Sequence, residues 1–176
     1  MSRIKRILYN DISNGPGIRT SVFFSGCPGV IWNKKTKKYD HCQGCFNKEA
    51  WDFKEGNPLD DFLIKQIQDS LHENIISGLS ILGGEPLCKE NQEAVATLIK
   101  YIRTYYKNSK NIWIWTGYIY TKNPFNKNRI PKTKWTRYIL KNTDVLVDGP
   151  FISKLFNIKL KFRGSENQRI IKLNTI

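Results

Sequence analysis

Residues 78–86 read Gly-Leu-Ser-Ile-Leu-Gly-Gly-Glu-Pro. A short apolar run that stops at two glycines reads as a buried strand ending in a sharp turn, because glycine takes backbone angles that other residues resist. Helical patterns bracket it. On the N-terminal side Pro58 opens a repeat of Leu59, Phe62, Leu63, Ile67, Leu71 and Ile75 at spacings of three and four. Proline suits a first helical position, where its missing N–H would have had no partner. On the other side Asn91–Tyr106 carries Val95, Leu98, Ile102 and Tyr105 on one face. A strand set between two such helices predicts β-α-β units and a parallel sheet.

Further out the alternation continues. Asn111–Trp115 reads as a strand ending in Thr116-Gly117, Trp135–Leu140 as a weaker helix, and Asp144–Val147 as a strand ending in Asp148-Gly149-Pro150. Trp113 and Trp115 alternate with Ile112 and Ile114, which places that strand with both faces buried. Toward the N-terminus, Ile4–Tyr9 and Thr20–Ser25 are β-prone runs separated by Asn14-Gly15-Pro16-Gly17, and the second delivers the chain to Gly26-Cys27. The expected fold class is α/β. About four to six β-α units fit, too few for a closed eight-fold barrel, so a partial (βα) barrel with a mostly parallel sheet is the natural outcome. One domain is expected over residues 1–176, with 30–41 an inserted excursion, a hairpin with a polar tip at Asn33–Lys38. In such folds ligands bind at the C-terminal ends of the strands. Here those ends carry Cys27, Gly83-Gly84-Glu85, Thr116-Gly117 and Asp148-Gly149.

The composition, 40% hydrophobic and 12% aromatic, is that of a globular chain. No stretch approaches the roughly 18 unbroken apolar residues of a membrane span, and the charged N-terminus has no signal-peptide run. The reading is a soluble, cytoplasmic protein. Its net charge of +14 invites a nucleic-acid partner. Yet the 29 basic residues are 21 Lys and 8 Arg, spread along the chain among many Asn and Ile. That pattern resembles a codon bias more than selected phosphate contacts, so solvated surface ranks first, an acidic protein partner second and nucleic acid last. The basic clusters are Lys34–Lys38 and Lys122–Arg137.

Of the four cysteines, Cys42 and Cys45 form a C-x2-C pair around Gln43-Gly44, and Cys27 precedes them as C-x14-C-x2-C. Intracellular thiols are normally reduced, so metal or cluster ligation ranks ahead of a disulfide. Three thiolates leave a [4Fe–4S] cluster one iron short of four protein ligands, and an open coordination position marks a reactive centre. Cys88 could supply a fourth ligand and close the site, although free cysteine is more often a small buried hydrophobe. The two glycines before Glu85 let a ligand approach the backbone, and Glu85 could receive an ammonium group.

Taken together, the cysteine loop and Gly83-Gly84-Glu85-Pro86 resemble the radical S-adenosylmethionine superfamily. More narrowly, the chain resembles the activating proteins of anaerobic ribonucleoside-triphosphate reductases. The stretches that carry the resemblance are Asn14–Arg19, Phe24–Cys27, Cys42–Lys48, Leu82–Leu87, Ile112–Tyr118, Val145–Phe151 and Phe162–Gln168. One departure is the first cysteine spacing, which is C-x3-C in that family and C-x14-C here. The cost of lengthening a closed loop grows only logarithmically, so the three ligands can still converge.

The resemblance implies a [4Fe–4S] cluster on Cys27, Cys42 and Cys45, and S-adenosylmethionine on the open iron. It implies reductive cleavage to a 5′-deoxyadenosyl radical, and a glycyl radical left on the large subunit of the anaerobic ribonucleotide reductase. An electron donor such as a flavodoxin is implied, and a homodimer is compatible. Gly83, Gly84 and Glu85 are expected to hold the methionine end. Gly44 and Phe46 are expected to border the adenine, against core packing for Phe46. Thr116 and Asp148 are expected near the ribose or methionine, against turn capping for both. Arg19 and Arg163 could serve the active site, an interface or the fold. Two alternatives stand beside this reading. One is a zinc-bearing nucleic-acid-binding module using the cysteines with His41 or Cys88. The other is a different radical enzyme, such as a deazapurine synthase.

Overall fold

The computed structural model describes residues 1–173. Its centre is a seven-stranded sheet in the order β5-β1-β2-β6-β7-β8-β9. The strands are β1 (Arg3–Asp11), β2 (Ile18–Phe24), β5 (Asn57–Pro58), β6 (Ile76–Gly83), β7 (Asn111–Trp115), β8 (Val145–Asp148) and β9 (Arg169–Lys172). β2, β6, β7 and β8 run parallel, whereas β1 and β5 on one side and β9 on the other are antiparallel. The α/β class and the parallel centre follow the expectation. The margins differ from it, so the sheet is mixed. The crossovers carry α1 (Asp61–Asp69), α2 (Lys89–Tyr106) and α3 (Thr136–Lys141). No helix of the described residues is long and apolar enough to cross a membrane.

Side-chain alternation divides the sheet into two unlike faces. Val22, Phe24, Leu79, Ile81, Ile112, Ile114 and Leu146 pack with Ile64, Ile67, Val95, Leu98, Ile99, Ile102 and Ile139 of the helices in the main core. Among the described residues no α-helix packs on the other face. Trp113, Val145 and Val147 form a smaller cluster there with Trp115 and Phe162. Arg19 also lies on this face, fully buried. It donates to Ser80 Oγ at 2.7 Å, Asn111 Oδ1 at 2.7 Å and the Leu79 carbonyl at 2.9 Å. Burial pulls its guanidinium down to about 10, opposed by the charges of Asp11 and Asp144. Arg19 therefore clamps β2, β6 and β7, a structural role.

Two expectations on element bounds are corrected. Pro58 does not open α1. It lies in edge strand β5 opposite Arg3, where a missing N–H is tolerated. Asp60 is the cap, accepting from the Leu63 N–H at 2.8 Å. The helix then ends at Asp69, and Leu71 reaches the core from the loop that follows. A further strand, β9, has no counterpart in the sequence pattern and pairs with β8 across Asp148↔Arg169. The inserted excursion is a hairpin, β3 (Ile31–Asn33) with β4 (Lys38–Asp40).

Candidate functional site

The C-terminal ends of β2 and β6 are zipped together beyond the last residues of the strands. Gly84 N–H donates to the Phe24 carbonyl and Glu85 N–H to the Gly26 carbonyl, both at 2.8 Å. From the other side Gly26 and Cys27 donate to the carbonyls of Ala50 and Trp51, at 2.8 and 3.0 Å. Three backbone segments thus meet at Gly84. A β-carbon there would lie 2.4 Å from the Gly26 oxygen and 2.5 Å from that of Ala50. Gly83 has φ +121°, and its β-carbon would press on Phe24. The glycine pair lets the protein's own backbone come close, and both glycines also line the neighbouring cavity.

This packing presents Cys27 on the wall of a cavity of about 520 Å³, within the range of small-molecule sites. Cys42 and Cys45 line the same cavity. They are brought there by a turn in which Cys45 N–H donates to the Cys42 carbonyl at 3.2 Å and Gly44 has φ +76°. Asn47 N–H points at Cys45 Sγ at 3.4 Å. Burial pushes the Cys27 thiol up to about 12, helped by the charge of Glu85, and the Cys42 thiol up to about 11. Such thiols stay protonated until a cation compensates their thiolates, which is what bound iron supplies. Three half-buried thiols around one cavity fit a cluster that leaves one iron free of protein. Among the described residues no three or more His, Cys, Asp or Glu side chains could hold a single metal ion. The thiolates of a four-iron cluster sit on different irons and need not meet at one point.

The other ligands considered from sequence are committed elsewhere. Cys88 is fully buried in the main core and precedes α2. His41 Nε2 lies 2.7 Å from the Cys27 carbonyl oxygen, and its ring stacks on Trp51 at 3.9 Å.

Glu85 also lines the cavity, although only 1% of it is exposed. Its Oε1 accepts the Thr116 hydroxyl at 2.7 Å and the Leu87 N–H at 2.9 Å, and its Oε2 accepts the Gly117 N–H at 2.8 Å. Burial raises its carboxyl to about 7, while these hydrogen bonds oppose the rise. The carboxylate braces the end of β6 to that of β7 and keeps acceptor capacity on Oε2. Gly83, Gly84, Thr116, Gly117 and Phe46 complete this part of the wall. Phe46 is 69% exposed, with its ring 4.8 Å from that of Phe151 and 6.0 Å from that of Phe156. Asp148 is not among the lining residues. It pairs with Arg169 and accepts the Tyr120 N–H at 2.7 Å, so it fastens the sheet margin.

Several residues that sequence reasoning passed over hold the site together. Asn91 is buried and donates to the carbonyls of Ser25 at 2.9 Å and Glu85 at 3.1 Å, tying α2 to both strand ends. The signal was present, since Asn91 precedes Val95, Leu98 and Ile102 on the apolar face. Gln168 accepts the N–H groups of Gly164 and Ser165 and donates to the Gly149 carbonyl at 3.0 Å. Asn167 donates to the Pro150 carbonyl at 2.8 Å. These bonds fold 163–168 into a loop whose Arg163, Gly164 and Gln168 border the cavity. Arg6 donates to Asn47 Oδ1 at 3.2 Å and lies over the Phe23 ring, joining β1 to the cysteine loop.

Known sequences resemble this arrangement. A family described as a 4Fe-4S single cluster domain matches residues 13–171. An anaerobic ribonucleoside-triphosphate reductase-activating protein of Enterobacteria phage T4 is 31% identical over 165 residues, covering 94% of this chain and 90% of the relative. The protein of the same name from Pasteurella multocida is 33% identical over 164 residues, 92% of each. The one from Escherichia coli K12 is 34% identical over 160 residues, 90% of each.

Proposed function

Since the chain belongs to the family of anaerobic ribonucleoside-triphosphate reductase-activating proteins, with their 4Fe-4S domain, we propose that it is a radical S-adenosylmethionine activase. In this reading Cys27, Cys42 and Cys45 hold the cluster. When bound and reduced, the cluster would supply the one electron needed to break the sulfonium's C–S bond, the chemistry by which hydrogen would be taken from a glycine Cα of the reductase. The observation that carries the proposal is the single cavity shared by the three thiols, Gly84 and Glu85.

The chain's own residues bind, orient and exclude water. Gly83 and Gly84 offer backbone to the methionine end, and Glu85 Oε2, which accepts one hydrogen bond from Gly117, receives its ammonium. Thr116 and Gly117 hold that carboxylate in place. Phe46 presents a ring face toward the adenine, backed by Phe151. Asp148 acts at one remove, through Arg169 and Tyr120. The same reading takes residues 1–176 as one domain whose sheet is a partial barrel, supported by the parallel order β2-β6-β7-β8 and the face that no α-helix of the described residues covers. That face leaves the cavity open to a glycine presented by a partner protein.

The test is electron paramagnetic resonance of the anaerobic reductase mixed with the reconstituted chain, a reductant and S-adenosylmethionine. A glycyl-radical doublet that needs every component is expected. Its absence, with the cluster intact, would overturn the assignment.

A further inference from the structure

The activity proposed above needs one electron delivered to the cluster. A surface beside the cysteine loop suits that task. The hairpin inserted between Cys27 and Cys42 does not stand free. Trp32 N–H donates to Asn128 Oδ1 at 2.8 Å and the Tyr39 hydroxyl to the Lys127 carbonyl at 2.6 Å. The Lys127 ammonium lies over the Trp32 ring. The hairpin tip, with Lys34, Lys35, Lys37 and Lys38 all exposed, is thereby joined to the second basic cluster as one face.

Between the two lies a cavity of about 480 Å³, lined by Lys89, Lys127, Arg129 and Lys132 with Glu90 as the only carboxylate. None of these basic side chains, nor those of the tip, is in an ion pair among the described residues. Pro28 and Gly29 form part of this cavity's wall, so its surface begins one residue from Cys27. The two cavities share no lining residue. A protein seated on the basic face thus approaches the cysteine loop without occupying the cavity that the substrate glycine must enter.

We propose that this face docks an acidic one-electron carrier protein, which is oxidised by one electron as the cluster is reduced by one, with no bond or proton transferred. The inference rests on the activase reading. A carrier fits better than a polyphosphate chain because the cations surround the approach to a redox centre. Unpaired surface lysines of one sign steer an acidic partner and make the encounter salt-dependent.

The experiment uses the reconstituted full chain with an acidic flavodoxin as the probe, its binding read by flavin fluorescence anisotropy. Two charge reversals are compared, Lys34→Glu with Lys35→Glu, and Lys127→Glu with Lys132→Glu. A control places the same charge change elsewhere, at Lys100→Glu with Lys141→Glu. Each face variant is expected to weaken binding at least tenfold and the control less than threefold. Cleavage of S-adenosylmethionine driven by dithionite should be unchanged in all of them. Wild-type affinity for the flavodoxin in the face variants overturns the inference. So does retained flavodoxin binding with loss of the reductase or of a duplex oligonucleotide. Failure of dithionite-driven cleavage in the wild type would strike the activase reading instead.

Discussion

The Thr116 hydroxyl donates to the buried Glu85 carboxylate at 2.7 Å, and so fastens the end of β7 to the end of β6 where the cysteine loop begins. Replacing Thr116 by valine removes that donor while keeping its shape. A loss of about 1.5–3 kcal/mol in unfolding free energy is expected, the usual worth of a hydrogen bond to a charged group. Urea denaturation of the cluster-free protein measures it. Unchanged stability would mean that the brace does not hold the two strands.

Gly84 and Gly44 should respond differently to alanine. At Gly84 the added carbon meets carbonyl oxygens at 2.4 and 2.5 Å on two other segments, so backbone must move. At Gly44 the nearest atom lies at 3.5 Å, and the cost is the left-handed backbone alone. Gly84→Ala is expected to cost more than about 3 kcal/mol and Gly44→Ala about 1–2 kcal/mol. Thermal melts of the two variants give the order, and a reversed order would contradict the close packing at Gly84.

Cys88→Ala should retain the full iron and sulfide content of the wild type after reconstitution, with a stability loss of roughly 1 kcal/mol for the sulfur removed from the core. Loss of cluster iron in this variant would instead make Cys88 a ligand.

Asp11 governs a pH dependence away from the cysteines. Burial would raise its carboxyl, but hydrogen bonds from Ser21, the Ser13 N–H and Asn14 outweigh it and hold the group below the usual 3.8. A carboxyl depressed in the folded state stabilises it above the unfolded value, and that contribution is lost as pH falls from there through the folded value. Urea midpoints taken from pH 6 down to pH 3 should therefore fall more steeply for the wild type than for Asp11→Asn. Equal slopes would show that Asp11 is not the group concerned.

The parts of the molecule legible in sequence were those with local signals. β6, β7 and α2 declared themselves by periodicity, and the meeting of Cys27, Cys42, Cys45, Gly84 and Glu85 at one cavity was signalled by their type and spacing. What escaped depends on contacts between distant residues. Asp148 looked like a site residue at a strand end, and only its pairing with Arg169, 21 residues away on the four-residue β9, shows where its carboxylate goes. Pro58 looked like a helix start because a proline before an apolar repeat reads the same in an edge strand. Asn91 is a polar residue on an apolar helix face, an informative exception that the apolar positions alone do not reveal.

The most direct test of the central claim is formation of 5′-deoxyadenosine by the anaerobically reconstituted chain, reduced with dithionite and given S-adenosylmethionine. Cys27→Ala, Cys42→Ala and Cys45→Ala are compared with the wild type and with Cys88→Ala. The account predicts product in the wild type and in Cys88→Ala, and none in the other three. Product at the wild-type rate after loss of any one of the three cavity cysteines, or none from a wild type that carries its cluster, would contradict it.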